Sequence, residues 1–386
     1  RMCARKTWRF FEDFITARDN YLPPDNFQEE PLGAAAHRTS PTNMGLSLLS
    51  NLTAHDFGYI STGDALDRTK KALVTMSAME KYRGHFYNWY STESLKPLLP
   101  LYVSSVDSGN LTGNLLVLRS GLFEMRGEKI IPLKIIDGLW DTLNVIKDSY
   151  KEPVKNMAAA AAEISERVKA RISRMGDKLS SAPETLQELH MLLLHLSAES
   201  SKMIIDLEFL GLVKTKKWGM AFERQCYHLL EDMAYMAPWI LLPAEIPGMW
   251  DKDDGKQKDV LNFLREELRR LDAIPVLDDA ARLELRLTPS INQILEFNGN
   301  NAAETEWLLQ FKNAITTAGA RACERIDLIE ELSLLCGEMT DVEYVFLYNK
   351  SKHLFHIGYN AGERKTDASC YDLLASESRL ASYTAI

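Results

Sequence analysis

The chain has 386 residues, 46% of them hydrophobic and 26% charged, with a net charge of −9. That length allows two or three ordinary domains, or one large toroid or barrel with an insertion. The acidic balance leaves no broad basic field for nucleic acid, and the most apolar window, Met236 to Pro243, is too short and too broken by prolines to span a bilayer.

Residues 5–18 place Trp8, Phe11, Phe14 and Ile15 on one face of a helix. Asn20 to Pro31 follows as a loop, because its prolines forbid a helix, and it is rich in side chains that suit a sugar. His37-Arg38-Thr39-Ser40-Pro41-Thr42-Asn43 then leads into a helix, with Ser40 as its N-cap and Pro41 at its first position. A third helix starts near Asp64 and presents Leu66, Leu73, Met76 and Met79.

Arg83-Gly84-His85-Phe86-Tyr87-Asn88-Trp89-Tyr90 comes next, with four aromatic rings, an imidazole and an amide behind a glycine. It matches neither a helix stripe nor a strand alternation. Rings can stack on the C–H faces of a sugar while Asn, His and Tyr reach its hydroxyls. The alternative is an aromatic loop that fills a core edge. Ser104 to Asn110 is a Ser/Asp/Gly loop entering another helix, with Asp107 or Ser108 at or near the N-cap. A carboxylate and free backbone N–H groups would share that mouth. Loops around Asp25, Arg38 and Asp107 would face one cleft if the helices are paired in a toroid.

The middle of the chain reads as helical and without site character. Met157 to Glu163 is plain helix composition. Ser181-Ala182-Pro183-Glu184 reads as a capping box that opens a leucine-rich helix. Trp218, Trp239, Trp250 and Trp307 are scattered as core residues would be, and Asp251 to Gly255 reads as an exposed turn. The five cysteines are odd in number and widely spaced, without a C-x-x-C pair, which suits free thiols in a reducing compartment. His190 and His195 lie five apart and do not share a helix face. Nothing in the sequence asks for a metal or a cofactor.

Polar chemistry returns near the C-terminus. Tyr344 to Tyr359 reads as a short β-hairpin around the polar turn Asn349-Lys350-Ser351-Lys352. Asn360, Asp367, Tyr371 and Asp372 follow, and then helix-like sequence containing Glu377. A carboxyl among small and apolar neighbours loses solvation and can stay protonated near neutral pH. The alternative is an exposed helix glutamate paired with Arg379 or solvent. Both chain ends lie in helix-like sequence without a terminal cap, as a segment of a longer polypeptide would.

Five of these stretches, in order, resemble the central glycosidase-type region of cyclic β-1,2-glucan synthases: residues 23–28, 37–43, 83–90, 103–111, and 358–377. The resemblance spans roughly residues 5–130 and 320–386. It implies an all-α fold, a partial (α/α)6 toroid with a helical insertion and a short β-hairpin near the C-terminus. The toroid would occupy residues 1–130 and 319–386, with the insertion at 131–318 and about six of twelve helices present. The implied activity is transglycosylation that closes linear β-1,2-glucan into rings. Glu377 falls on the family's general acid/base, with Asp107 as a rival, and the family's nucleophile lies beyond Ile386. The resemblance makes Asp25, Arg38, Asn43, His85, Tyr87, Trp89, Tyr359 and Asp372 the subsite residues. The implied partners are linear β-1,2-glucan and further modules of one polypeptide, on the cytoplasmic side of an inner-membrane protein. The implied segment alone would be inactive. A non-catalytic glucan-binding or assembly scaffold is the alternative, and a helical interaction module a third.

Overall fold

The structure is a computed structural model describing residues 1–31, 33–150, 159–243, 255–297, 301–374 and 378–385. In chain order, helix α1 (Met2–Phe14) precedes strands β1 (Phe27–Gln28), β2 (Ala34–Ala35) and β3 (Arg38–Thr39). Helices α2 (Pro41–Asp56) and α3 (Thr62–Ser77) follow, then β4 (Lys81–Tyr82), β5 (His85–Phe86), β6 (Tyr90–Ser91) and β7 (Tyr102–Ser104). Next come α4 (Ser105–Arg126), α5 (Lys134–Ser149), α6 (Ala159–Ser180), α7 (Leu186–Phe209) and α8 (Val213–Met236). After them stand α9 (Gly255–Asp272), α10 (Leu277–Ala280), α11 (Leu283–Leu295) and α12 (Ala302–Met339). The chain ends in β8 (Tyr348–Asn349), β9 (Leu354–Phe355), β10 (Gly358–Asn360), β11 (Lys365–Thr366) and α13 (Ser378–Thr384). The fold is mostly helical, as expected, and the β8–β9 hairpin stands where the sequence places it.

Two compact units form. One comprises Arg1–Arg5, His55–Asp64 and Arg126–Asp327. Its core is built from helical stripes such as Leu189, Leu193, Leu196 and Met203 of α7 against Phe222, Leu229 and Met233 of α8, all buried. Trp218, Trp239 and Trp307 are buried there, as expected of core residues, while Trp250 and residues 251–254 lie outside the described residues. The capping box of α7 is formed by Thr185 and Glu188, one turn later than the sequence suggests. Its threonine accepts the free amide of the third helical residue, while the Ser181 hydroxyl turns back to the Lys178 carbonyl and the Glu184 N–H goes to Glu188. Between α6 and α7, Glu199 is buried. Burial alone would raise its pKa, but hydrogen bonds from Lys202 and Arg171 hold it down at about 2.

The other unit comprises Lys6–Ala54, Ala65–Met125 and Leu328–Ile386. Its helices bury Trp8, Met44, Leu48, Leu66, Leu73, Met76, Leu115 and Leu118. Two-residue strands then stitch its loops into fixed positions. The β4–β5 hairpin turns through Arg83 and Gly84, both at positive φ (53° and 86°), the geometry that suits a two-residue hairpin loop. Strand β3 pairs with β6, setting Arg38 opposite Ser91. Strand β10 lies between β7 and β11. Gly358 is required there, since a Cβ would come within 2.4 Å of the Tyr102 ring and of the Val103 carbonyl oxygen.

Candidate functional site

The polar residues that the sequence singles out all belong to this second unit. Two helix N-termini meet in it. Ser40 caps α2, its Oγ accepting the Asn43 N–H at 3.2 Å, as the sequence predicts. The cap of α4 is Ser104, whose Oγ accepts the Asp107 N–H at 3.2 Å. Asp107 is therefore not the N-cap. It sits in the first helical turn, where a carboxylate faces the positive end of the helix dipole.

From these two ends a connected network runs. Thr42 Oγ1 donates to Asp107 Oδ1 at 2.7 Å, and Asn110 Nδ2 donates to Thr42 Oγ1 at 3.2 Å. The Asn88 amide, with its nitrogen towards Asp107, donates to Oδ2 at 3.0 Å, and its oxygen accepts from Trp89 Nε1 at 3.2 Å. Over the Trp89 ring lies the guanidinium of Arg38, 4.7 Å from the centroid. Arg38 Nη2 and Nε hold Asp25 Oδ2 at 3.0 and 3.2 Å, and Asn43 Nδ2 donates to Asp25 Oδ1 at 3.2 Å. Asp25, Arg38, Asn43, Trp89 and Asp107 are thus gathered by one chain of contacts. Asp25 is partly shielded and Arg38 half-exposed, so the network is anchored yet open to solvent.

Other expected residues fall elsewhere. His85 is only 1% exposed. Its Nδ1 shares a hydrogen bond with Ser108 Oγ at 3.0 Å, and its Nε2 meets the Glu343 carbonyl at 2.9 Å. Tyr344 and Phe346 pack edge-on to its ring, and burial lowers its pKa. With both nitrogens used, His85 braces the first turn of α4 from inside. Tyr87 is 5% exposed and packs against Tyr90, so its ring is buried in the hairpin. The packing of four rings behind Gly84 into a small hairpin consumes these two side chains. Trp89 remains half-exposed, with Arg38 over it.

Tyr359 is half-buried in β10 and stacks on Tyr82, with centroids 5.4 Å apart and planes 23° apart. Their hydroxyls meet at 3.4 Å, which raises the Tyr359 pKa. Tyr102 donates to Asp367 beside them, and burial, with that bond, pushes the Tyr102 hydroxyl pKa far up. Asp372 is exposed, and its Oδ1 accepts the Leu374 N–H at 2.6 Å. Glu377 lies outside the described residues. Immediately after it, α13 packs on α4: a Cβ on Gly109 would meet Ala381 Cα at 2.3 Å, and one on Gly113 the Leu380 side chain at 2.9 Å.

Thr42 is a member of the network that the sequence does not single out by role, whereas Asn88 is the amide read there as reaching sugar hydroxyls. Thr42 stands inside one of the five stretches, but a hydroxyl between Pro41 and Asn43 carries no signal of its own. The five cysteines are free thiols. In the other unit, His55, Asp56 and Glu128 bring possible ligand atoms within 4.8 Å of one another. The Lys134 ammonium already stands among them, 2.8 Å from Glu128, 3.4 Å from Asp56 and 3.3 Å from His55 Nδ1. None of the described helices is long and apolar enough to cross a membrane.

The chain is similar to the cyclic beta-(1,2)-glucan synthase NdvB of Rhizobium meliloti (strain 1021), 46% identical over 153 residues. The match covers 39% of this chain and 5% of NdvB, so the chain spans a small part of that relative's length. The resemblance to cyclic β-1,2-glucan synthases read from the motifs is borne out over that stretch. No family model matches the chain. A glucoamylase candidate from Bacteroides fragilis NCTC 9343 aligns over 30% of this chain and 29% of its own, at 19% identity and a TM-score of 0.26, too slight a likeness to carry an argument.

Proposed function

We propose that this chain is part of the glycosidase-type, ring-closing module of a cyclic β-1,2-glucan synthase and acts on linear β-1,2-glucan. The observation that carries the reading is the network from Asp25 through Arg38, Trp89 and Asn88 to Asp107. It joins four separate motifs into one polar surface, in a chain that shares 46% identity over 153 residues with NdvB. Partly shielded carboxylates and amides and a half-exposed guanidinium, fixed on short strands and helix ends, are suited to reading sugar hydroxyls. The helices of this unit would belong to an (α/α)6 toroid, with the residues from about 131 to 318 as an inserted helical part.

The chemistry proposed is two-step retention. Glu377 gives its proton to the departing glucosyl oxygen while a carboxylate nucleophile bonds to the anomeric carbon. Glu377 then takes the proton from an incoming hydroxyl as that oxygen displaces the nucleophile. Ring closure follows when the hydroxyl belongs to the far end of the same glucan and water is excluded. Asp107, with both oxygens accepting hydrogen bonds, offers an acceptor for substrate hydroxyls and is the rival for the acid role. The module would work beside the other parts of an inner-membrane synthase, on its cytoplasmic side.

The test compares products by mass spectrometry. In a complete synthase, Glu377→Gln should abolish cyclic glucan, by ~10²–10⁴-fold, and leave chain elongation intact. The 386-residue chain alone should neither shorten nor cyclise linear β-1,2-glucan. Cyclic product persisting in Glu377→Gln but lost in Asp107→Asn would transfer the role to Asp107. Binding without any effect of either substitution on cyclisation would favour a scaffold.

A further inference from the structure

A cleft of about 360 Å³ opens in the same unit, between the end of α1 and the β1–β2 hairpin. Asp13, Phe14, Asp19, Phe27, Gly33 and His37 are among its lining residues. Its size falls at the lower end of small-ligand sites. We infer that this cleft is a second saccharide position, holding a neutral pyranose ring against Phe27.

The apolar wall is made by two aromatic rings. Phe14 and Phe27 lie with centroids 4.5 Å apart and planes 33° apart, and Phe27 is 36% exposed. Gly33 leaves room for that ring, because a Cβ there would stand 3.0 Å from Phe27 Cζ. A phenyl ring that lines a cleft and keeps about a third of its surface exposed offers apolar area on which sugar C–H groups can pack.

The polar wall selects against charge. Asp13 accepts from Arg9 at 2.7 Å, and Arg18 donates to Glu93 at 3.0 Å. Asp19 Oδ1 meets His37 Nδ1 at 2.8 Å and accepts from Thr92 Oγ1 at 2.5 Å. Each charged lining group is therefore matched within the protein, and an ionic ligand would find no counter-charge that is not already engaged. Paired carboxylates keep spare acceptor capacity, and His37, with Nδ1 fixed, has Nε2 for a hydroxyl. One apolar face and many hydroxyls are the properties of a pyranose.

The two sites share their loops. Phe27 lies two residues from Asp25, and His37 immediately precedes Arg38. The backbone of the two loops is joined by Asp25 N–H to Ala36 O at 3.1 Å and Ala36 N–H to Asn26 O at 2.9 Å. One glucan chain would thus run from the Arg38 network onto Phe27. The glucan's identity rests on the function proposed above, whereas the saccharide class rests on the cleft alone.

Fluorine NMR of the 386-residue chain carrying 4-fluorophenylalanine tests this, with the Phe27 signal identified by its loss in Phe27→Leu. Linear β-1,2-glucan should shift that signal, and Phe27→Leu should weaken glucan binding about five- to tenfold with its thermal midpoint held. Gly33→Ala, which presses on the ring edge, is the second variant and should move the signal and weaken binding in the same sense. If glucan binds while the Phe27 signal stays still and both variants bind normally, the cleft is not a saccharide position and the proposed function stands. If cellobiose shifts the signal and β-1,2-glucan binds nowhere, the cleft is upheld and the proposed function falls. If no saccharide shifts it, the inference is overturned.

Discussion

Arg38 lies across Trp89, its guanidinium carbon 4.7 Å from the indole centroid. The contact follows from the strand pairing, since β3 sets Arg38 beside β6, which starts one residue after Trp89. One face of the indole is therefore occupied by a cation whose other edge grips Asp25. Trp89 acts here less as a bare stacking platform than as the support that aims Arg38.

That arrangement makes a graded prediction. Trp89→Ala should weaken binding of linear β-1,2-glucan by on the order of 1 kcal/mol, because Arg38 loses its support and the indole its contact. Trp89→Phe keeps a ring under the guanidinium and should recover most of that loss. Calorimetric titration of both variants checks it. Equal affinities in all three proteins would remove Trp89 from the site.

Tyr87 should behave in the opposite way. It is 5% exposed, so Tyr87→Ala opens a cavity and should destabilise the chain by roughly 3–5 kcal/mol. Glucan affinity measured well below the melting transition should stay unchanged. Denaturant unfolding beside a binding titration separates the two effects.

His85 carries a pH dependence. Burial lowers its folded-state pKa, despite the opposing hydrogen bond that its Nε2–H donates to the Glu343 carbonyl. The unfolded chain therefore takes up this proton at higher pH than the folded one. The stability concerned is fully present above the unfolded value of about 6.5 and is lost as pH falls from there towards the lower folded value. His85→Gln should flatten that part of the stability curve between about pH 7 and 5. Thermal unfolding at intervals across the range would show it, and an unaltered curve would contradict the assignment.

Gly109 ties the segment after Glu377 to the first turns of α4. Gly109→Val would drive a side chain into the Ala381 backbone, 2.3 Å from the position of a Cβ. The backbone cannot yield as a flexible side chain can, so α13 should be displaced. In a complete synthase this should lower cyclisation at least tenfold if Glu377 is the acid, with elongation preserved. Amide exchange across residues 378–385 should rise in the same variant.

Much of this unit is legible in the sequence where local rules act alone. Ser40 before Pro41 fixes the start of α2, and the Leu66, Leu73, Met76 stripe marks α3, because a cap and a 3.6-residue period need only neighbours along the chain. The cap of α4 is Ser104, three or four residues ahead of the Asp107 or Ser108 read from the sequence, because all three are good caps. The choice between them is made by Ser105, which bonds the His356 and Ile357 carbonyls some 250 residues away in sequence. Arg83-Gly84 is a two-residue hairpin turn visible only once its positive φ angles are known. It buries His85 and Tyr87, whose polar atoms had made them look like ligand contacts. The β3–β6 pair that carries Arg38 onto Trp89 joins residues 53 positions apart, beyond the reach of any window of sequence.

The most direct measurement is the affinity of the 386-residue chain and its Arg38→Ala variant for linear β-1,2-glucan, beside β-1,3- and β-1,4-linked glucans of equal length. The account predicts weak but selective binding of the β-1,2 chain, on the order of millimolar, reduced at least fivefold in Arg38→Ala at an unchanged thermal midpoint. Equal binding of all three glucans, or full affinity retained without Arg38, would contradict a β-1,2-glucan site built on the Asp25–Arg38–Trp89 network.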